Sequence, residues 1–287
     1  MGEITAVVLG VMQDGGLPHA GCLCRRCQAA FAGEGVDYAA CLALVDGRRS
    51  PAGVWLLDAT PDIKYQLHLL AGALGEHPSR PGRLRPPDGL LLTHGHMGHT
   101  AGLVHLGPEA MAVRKLPVYA PAGLVQVLQD TALWRPLVQL LDLRPLVAFQ
   151  PLALAPGLTV TPIPVPHRDE WQAGTVAYRV QGPRRSLLYL PDIDAWAQWP
   201  AARDTLAGVD VALVDGSFYS PAELGGRPPV AHPLVPETLA LCAGLPGRVL
   251  LTHFNHTNPL LDEGDPGRGV VQAAGVGLAY TGQTFQL

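Results

Sequence analysis

The sequence predicts an α/β fold built from two β-sheets that are covered by helices. Short apolar runs rich in β-branched residues, each bounded by turn-forming residues, recur in both halves of the chain and are typical of strands. Segments with apolar residues at helical spacing lie between these runs. The strands come in clusters with helices interspersed, without a regular alternation of strand and helix, and this order indicates two sheets.

In the first half of the chain, residues 61–73 begin with proline and carry apolar residues at helical spacing, which predicts a helix. Two further helices are predicted at 100–106 and 122–128, with a strand at 117–119 between them. β-Branched content and flanking turns predict the remaining strands, at 4–9, 40–45, 54–57 and 89–92.

The second half repeats this pattern, with one predicted helix at 236–243. Strands are predicted at 158–165, 175–180, 186–190, 209–214 and 249–251. Residues 75–87 are rich in Pro and Arg and are predicted to form a surface loop, whose arginines either guide an anionic substrate or are simply solvated. Because no linker separates independently folding units, we expect a single domain over residues 1–287, with a Cys-rich metal loop near 22–27.

The composition excludes several classes of protein. Hydrophobic residues make up 48% of the 287 residues and charged residues 15%, below the about 25% typical of soluble domains. This excludes a disordered chain and allows a sizeable buried core. The net charge of −4 offers no electrostatic basis for binding nucleic acid.

The sequence also predicts no contact with membranes. It contains neither an apolar run of about 18 residues nor a basic segment followed by an apolar one at the amino terminus. We therefore expect a cytoplasmic protein that acts on a small molecule. A homodimer is compatible with the sequence, which does not determine the oligomeric state.

Three of the five cysteines lie close together, at Cys22, Cys24 and Cys27. The odd total and this crowding argue against a disulfide framework and favour a shared metal ion, the alternative being a group of incidental reduced thiols. Three thiolates leave one tetrahedral position open, which a distant His or Asp must fill. Cys41 and Cys242 lie in apolar surroundings and are predicted to be core residues.

A predicted strand at 89–92 runs into a polar loop that holds His94, His96 and His99. Residues two apart in an extended segment project to the same side, and His99 can approach the first two histidines from another direction. Three converging imidazoles suit zinc, iron or manganese. A histidine-rich loop that hydrogen-bonds to backbone is the alternative.

More candidate ligands follow later strands. His167, Asp192 and His253 each come directly after a predicted strand, and His256 lies three residues beyond His253. Side chains at strand ends that face one rim of a sheet sandwich form a rigid set of ligands. Residues 168–170 follow His167 and either face a substrate or form a solvated turn.

In this order the residues resemble the metallo-β-lactamase superfamily, whose signature is His-x-His-x-Asp-His followed by a His, a bridging Asp and a final His. The resemblance implies a four-layer αββα sandwich. It also implies that Asp58 orients ligand histidines. The active-site metal ligands that it implies are His94, His96, His99, His167, Asp192 and His253.

The match narrows to the pyrroloquinoline quinone biosynthesis protein B family, which the chain resembles over nearly its whole length. The motifs that carry this resemblance are the cysteine trio and residues 191–194, 213–219, 223–227, 232–233 and 252–259. In the related phosphonate-pathway phosphodiesterase family, a similar trio and a later histidine hold a structural zinc ion. That resemblance implies a zinc site made by Cys22, Cys24, Cys27 and His256.

The chain departs from these families at two places. Gly98 occupies the signature's Asp position, which leaves the second metal with His99, Asp192 and His253 at most and predicts one ion or a weakly bound second one. In addition, members of the quinone-biosynthesis family often carry a degraded His-x-His, whereas this chain keeps both histidines.

The superfamily resemblance implies a hydrolase in which metal-activated water, positioned by Asp192, attacks an ester, lactone or phosphodiester. The expected active-site cofactor is one or two ions of zinc, manganese or iron, beside the structural zinc. Iron would favour the alternative of a non-haem oxygenase that hydroxylates a precursor of pyrroloquinoline quinone. A third alternative is a non-catalytic binding or carrier protein with a decayed site.

Overall fold

Two mixed β-sheets of seven strands each form the centre of the structure, a computed structural model that describes residues 2–229 and 231–287. The first sheet consists of β1 (Ile4–Gly10), β2 (Cys41–Asp46), β3 (Gly53–Leu57), β4 (Gly89–Leu91), β5 (Leu116–Pro121), β6 (Leu141–Leu146) and β14 (Thr284–Gln286). Its order is β14-β1-β2-β3-β4-β5-β6. The pairs from β14 to β3 are antiparallel, and those from β3 to β6 are parallel.

The second sheet has the same arrangement of an antiparallel half and a parallel half. It consists of β7 (Leu152–Ala155), β8 (Leu158–Pro164), β9 (Val176–Gln181), β10 (Ser186–Leu190), β11 (Val211–Asp215), β12 (Arg248–Thr252) and β13 (Gly277–Leu278). Its order is β13-β12-β11-β10-β9-β8-β7. The pairs from β7 to β10 are antiparallel, and those from β10 to β13 are parallel.

The central strands of the first sheet, β2 to β4, are buried on both faces. In β2, Leu42 and Leu44 belong to the core between the two sheets, whereas Cys41, Ala43 and Val45 face the core beneath the outer helices. Because successive side chains of a strand point to opposite faces, a strand that is apolar at every position needs a cover on each side. The core between the sheets also contains residues of β8 to β12, so the two sheets pack face to face.

Helices cover the outer faces of both sheets. They are α1 (Arg25–Phe31), α2 (Ile63–Leu69), α3 (Ala71–Leu74), α4 (Met97–Thr100), α5 (Ala122–Asp130), α6 (Arg135–Val138), α7 (Ala202–Ala207), α8 (Val235–Cys242) and α9 (Pro266–Ala273). Leu67 of α2 and Leu124 of α5 pack against the first sheet. Leu206 of α7 and Leu239 of α8 belong to the core that includes the second sheet. The predicted αββα sandwich is therefore confirmed, whereas the single domain stays a prediction.

Two predicted helices differ from the structure. The helix expected at 61–73 divides at Leu70 into α2 and α3. The helix expected at 100–106 is mainly a 3₁₀ turn that follows α4. Gly102 lies so close to the chain at Ala59 and Thr60 that a Cβ there would be 2.1 Å from the Thr60 carbonyl oxygen. The Gly102 N–H donates to the Ala59 carbonyl at 2.9 Å, and this contact holds the segment close to the end of β3.

Among the helices of the described residues, none has the length and apolar character needed to cross a membrane. Two arginines of the Pro- and Arg-rich loop at 75–87 bind backbone carbonyls. Arg80 donates to the Met111 carbonyl at 2.7 Å, and Arg85 donates to the carbonyls of Ala52 and Leu74. These two arginines therefore hold the loop to the protein.

Candidate metal centre

Three imidazole nitrogens meet at the edge where β4 and β8 end. His94 and His96 follow β4, and His167 follows β8. His94 Nε2 is 2.9 Å from His96 Nδ1, which is 3.3 Å from His167 Nε2. Bonds of about 2.0–2.1 Å to a tetrahedral zinc ion place neighbouring ligand atoms about 3.3 Å apart. The spacing of the three nitrogens fits a divalent cation, as the sequence predicts.

Asp192 follows β10 and lies between this trio and a second pair of histidines. Its Oδ1 is 3.7 Å from His167 Nε2, and its Oδ2 is 3.1 Å from His99 Nε2 and 3.5 Å from His253 Nε2. Asp192 is 2% exposed, and His99 and His253 are equally buried. The two carboxylate oxygens thus face two different sets of imidazole nitrogens, which is the arrangement of a bridging ligand.

Three of these histidines are hydrogen-bonded through Nδ1, so that Nε2 faces the centre. A partner on one ring nitrogen sets the tautomer and the direction of the other nitrogen. The contacts are Asp58 Oδ2 to His99 (2.8 Å), Thr93 Oγ1 to His94 (2.9 Å) and Ser217 Oγ to His253 (3.0 Å). His167 Nδ1 lies 3.0 Å from Asp194 Oδ1 but forms no hydrogen bond within the described residues.

Buried aspartates determine the protonation of two of these rings. Thr93 Oγ1 donates its proton to Asp58, so it accepts from His94 Nδ1. Ser217 Oγ likewise donates to Asp215 at 2.7 Å and accepts from His253 Nδ1. In both cases Nε2 is left without a proton and is free to bind a cation.

The backbone is strained at this edge. Asp58, His232 and His253 have positive φ values of 72°, 72° and 60°. Such values are rare outside glycine, and they persist where surrounding contacts overdetermine the conformation, often at functional sites.

The ionisable groups at the centre are buried, and their pKa values depend on one another. Burial keeps the pKa of His94 well below its usual range. Burial would raise the pKa of Asp192, but His253, His99 and His94 together lower it well below its usual value. Within the described residues, His99 Nε2, His253 Nε2 and Asp192 Oδ2 are buried without a hydrogen-bond partner. Because buried polar atoms normally have partners, these three atoms indicate a ligand such as a cation.

Replacing Asp58 by asparagine should weaken metal binding at the His99 side of the centre. The carboxylate increases the basicity of His99 through Nδ1, and losing such a partner costs about 10–100-fold in metal affinity. Competition with a chromogenic chelator measures the affinity. Asp46→Asn is the matched control, because Asp46 is also a buried aspartate of the first sheet but pairs with Arg48. Equal affinities in the two variants would show that Asp58 has no such role.

A second group of ligands lies around the start of α1. Cys22, Cys24 and Cys27 approach His256, and one ligand atom from each lies within 4.8 Å of the others. Burial raises the pKa of the Cys27 thiol to about 11, and a backbone hydrogen bond from Cys27 lowers the pKa of Cys24. His256 Nδ1 has no partner among the described residues. The donor set fits a closed tetrahedral zinc site, and its role as one stays a prediction.

The structure adds residues to the centre that the sequence reasoning missed. His232 Nδ1 lies 2.7 Å from Asp215 and 3.9 Å from Asp192 Oδ1. Burial alone would lower the pKa of His232, but Asp215 raises it to about 9. Asp14, in the loop after β1, reaches His99 and His253 at 3.4 Å each. Asp14 lies four residues beyond the end of β1, so its position relative to the strand gave no signal.

In the turn after His167, Glu170 Oε2 lies 3.0 Å from His96 Nε2. The ring of Trp171 lies 6.3 Å from that of His96. Arg168 anchors the turn, because its backbone N–H donates to Asp194 Oδ1 at 2.9 Å. This turn therefore lies against the His96 side of the centre.

Comparison with known proteins agrees with this fold. Residues 55–254 match the family model described as the Beta-lactamase superfamily domain. The Zn²⁺-bound PqqB from Methylobacterium extorquens superposes with a TM-score of 0.85 at 24% identity, over 99% of this chain and 100% of that one. A diphosphatase from the PhnP family superposes with a TM-score of 0.72 at 22% identity, over 99% and 97% of the two chains.

Relatives in sequence identify a narrower family than the fold does. Coenzyme PQQ synthesis protein B from Methylobacterium nodulans is 31% identical over 98% of this chain and 99% of its own length. The protein of that name from Methylorubrum populi is 29% identical with the same coverage. The chain therefore belongs to the beta-lactamase superfamily and, within it, to the coenzyme PQQ synthesis protein B family.

Proposed function

We propose that the chain is a metal-dependent hydrolase whose centre binds one or two ions of zinc, manganese or iron. The observation that carries the proposal is the two-sided position of Asp192. One of its oxygens faces the trio of His94, His96 and His167, and the other faces His99 and His253. A carboxylate shared between two sets of ligands is characteristic of centres that bind and orient a nucleophile and its target together.

A divalent cation held by these residues would lower the pKa of a water molecule and would polarise the oxygen atom of the bond under attack. The protein supplies the geometry. Asp58, through His99, and Thr93, through His94, fix the rings that would bind the cation. Asp192 remains ionised at neutral pH, because the histidines around it keep its pKa low, and it orients the attacking water.

The surroundings of the centre favour a small anionic substrate. A cleft of about 320 Å³ has Arg168 and Arg227 on its wall beside Phe218 and Leu224, and its lining residue Ala231 precedes His232 in the chain. Arg168 directly follows the ligand candidate His167 in the chain. Guanidinium groups bind phosphate or carboxylate, so we favour a phosphodiester, or an ester or lactone that carries a carboxylate. The names of the relatives further support a substrate in coenzyme PQQ synthesis.

Membership in that family favours a second candidate function. Three histidines and a carboxylate that leave coordination positions open also suit non-haem iron and oxygen. In that case the chain would hydroxylate a tyrosine-containing precursor of the coenzyme. The two functions differ in their need for iron and for molecular oxygen.

We expect oxygen-independent hydrolysis from the purified chain loaded with zinc or manganese. The assay uses bis(p-nitrophenyl) phosphate, p-nitrophenyl acetate and a carboxylated lactone, with and without oxygen. A chelator should abolish the activity, and His96→Ala should lower kcat/KM more than about 100-fold, since even the outer partners of metal ligands contribute 10–100-fold. His68→Ala is the control, because His68 is exposed on α2.

Two results would contradict hydrolysis. Oxygen consumption coupled to hydroxylation of a tyrosine peptide, with iron alone, would establish the oxygenase function. Absence of turnover on every substrate with every metal would exclude the hydrolase and leave a binding protein.

A further inference from the structure

The glycine at position 98 is explained by a neighbouring side chain. Gly98 is buried in α4 and its φ lies outside the left-handed region, so its own backbone does not require glycine. A Cβ at this position would lie 2.3 Å from Asp14 Cγ and 2.5 Å from Asp14 Oδ1. Non-bonded carbon atoms do not approach so closely, so the Asp14 carboxylate occupies the space that a side chain at 98 would fill.

Asp14 and Asp192 both lie against the same two imidazole nitrogens. Asp14 Oδ1 is 3.4 Å from His99 Nε2 and 3.4 Å from His253 Nε2. Asp192 Oδ2 is 3.1 Å and 3.5 Å from the same two nitrogens. All four distances are close to the about 3.3 Å between neighbouring ligands of a tetrahedral zinc ion.

The loop that carries Asp14 is fixed to the loop that carries His253. The Gln13 N–H donates to the Phe254 carbonyl at 2.8 Å, and the Phe254 N–H donates to the Val11 carbonyl at 2.7 Å. These residues adjoin Asp14 and His253 in the chain. The two side chains therefore approach the same point from backbones that hydrogen-bond to each other.

A simple ion pair between Asp14 and the two histidines does not explain this arrangement of atoms. The Asp14 side chain is 44% exposed and can hydrogen-bond to water, but the atoms opposite it are buried. His99 Nε2, His253 Nε2 and Asp192 Oδ2 lack hydrogen-bond partners within the described part of the chain. A cation bound among them would satisfy all three atoms and the carboxylate together.

We propose that Asp14, from the loop after β1, replaces the carboxylate missing at position 98 and completes a second metal site with His99, Asp192 and His253. This inference rests on the metal centre of the proposed function and deepens it. It replaces the expectation that Gly98 leaves the second site with three ligands. The centre then holds two ions, one on each side of Asp192.

The test counts the metal ions bound to the full chain. It also moves the carboxylate from position 14 to position 98. Each variant is loaded with zinc or cobalt, and its content and affinity are measured by elemental analysis and chelator competition. Asp14→Ala and the nearly isosteric Asp14→Asn should each lose one ion or bind it at least about 100-fold more weakly, since outer partners alone contribute 10–100-fold. Asp130→Ala, an exposed aspartate on α5, should match the wild type.

The exchanged variant, which combines Asp14→Gly with Gly98→Asp, gives the sharper result. Gly98→Asp alone should disturb the centre, because its side chain collides with Asp14. Asp14→Gly combined with Gly98→Asp removes the collision, returns a carboxylate to the site and should restore the lost ion. Circular dichroism and retention of the cysteine-bound zinc show whether each variant is folded.

The outcomes separate this inference from the proposed function. If the wild type binds two ions besides the cysteine-bound zinc and both Asp14 variants keep them at unchanged affinity, the assignment of Asp14 is wrong and the hydrolase proposal stands. If the wild type binds no ion besides the cysteine-bound zinc, both proposals fail. Loss of one ion in the Asp14 variants and its return in the exchanged variant would establish the assignment.

Discussion

Replacing Asp192 by alanine should remove the metal from both sides of the candidate centre and abolish hydrolysis. The carboxylate is the one group here whose two oxygens face both sets of imidazoles, at 3.1–3.7 Å. Without it, His99 and His253 lose a shared anionic partner while they stay buried. We expect kcat/KM to fall more than about 100-fold, beyond the effect of an outer partner of a ligand.

Metal content and turnover are measured together on this variant. Asp204→Ala is the control, because Asp204 lies exposed on α7, outside the centre. A zinc ion held by the proposed cysteine site should remain in both variants, since that site does not include Asp192. Full activity or full metal content in Asp192→Ala would contradict the assignment of a bridging carboxylate.

Replacing Cys27 by alanine should release the structural zinc and lower the stability of the whole amino-terminal loop. The cluster ties residues 22–27 to His256, and binding free energy of a structural metal contributes directly to folding. We expect a loss of at least about 3 kcal/mol, which corresponds to roughly 6–12 °C in Tm. Calorimetry and zinc analysis provide the measurement.

The matched control for this variant is Cys41→Ala. Cys41 is a buried thiol in β2, outside the cluster, so its loss removes a core sulfur atom without removing a metal ligand. Its zinc content should equal that of the wild type, with a smaller decrease in Tm. An unchanged zinc content in Cys27→Ala, with a Tm equal to that of Cys41→Ala, would mean that the cysteines hold no metal.

Much of the fold was predictable because local pattern and burial agree. The strands buried on both faces, such as β2 and β10, are continuous apolar runs, which is a strong local signal. β6 was missed because Pro145 and charged residues interrupt its apolar run. β7 was missed because the strand has only four residues and none of them is β-branched. α1 was missed because Cys27, its one cysteine, was interpreted only as a metal ligand.

The candidate site was predictable where its residues follow strands in a known order. The structure brings together all six predicted active-site ligands and all four residues of the predicted zinc site. Asp14 and His232 carry no comparable spacing. Their position depends on how distant loops pack, as the contact between Gly98 and Asp14 shows, and no local pattern encodes such a contact.

We propose two separate metal centres for this chain, and element-resolved metal analysis of the purified wild type tests them most directly. The analysis is made before and after graded chelation, beside the Asp192→Ala and Cys27→Ala variants. We predict one zinc ion that resists chelation and is lost only in Cys27→Ala, and a second class of ions that is lost in Asp192→Ala. A wild-type chain without metal, or one whose metal is unaffected by either substitution, would contradict the account.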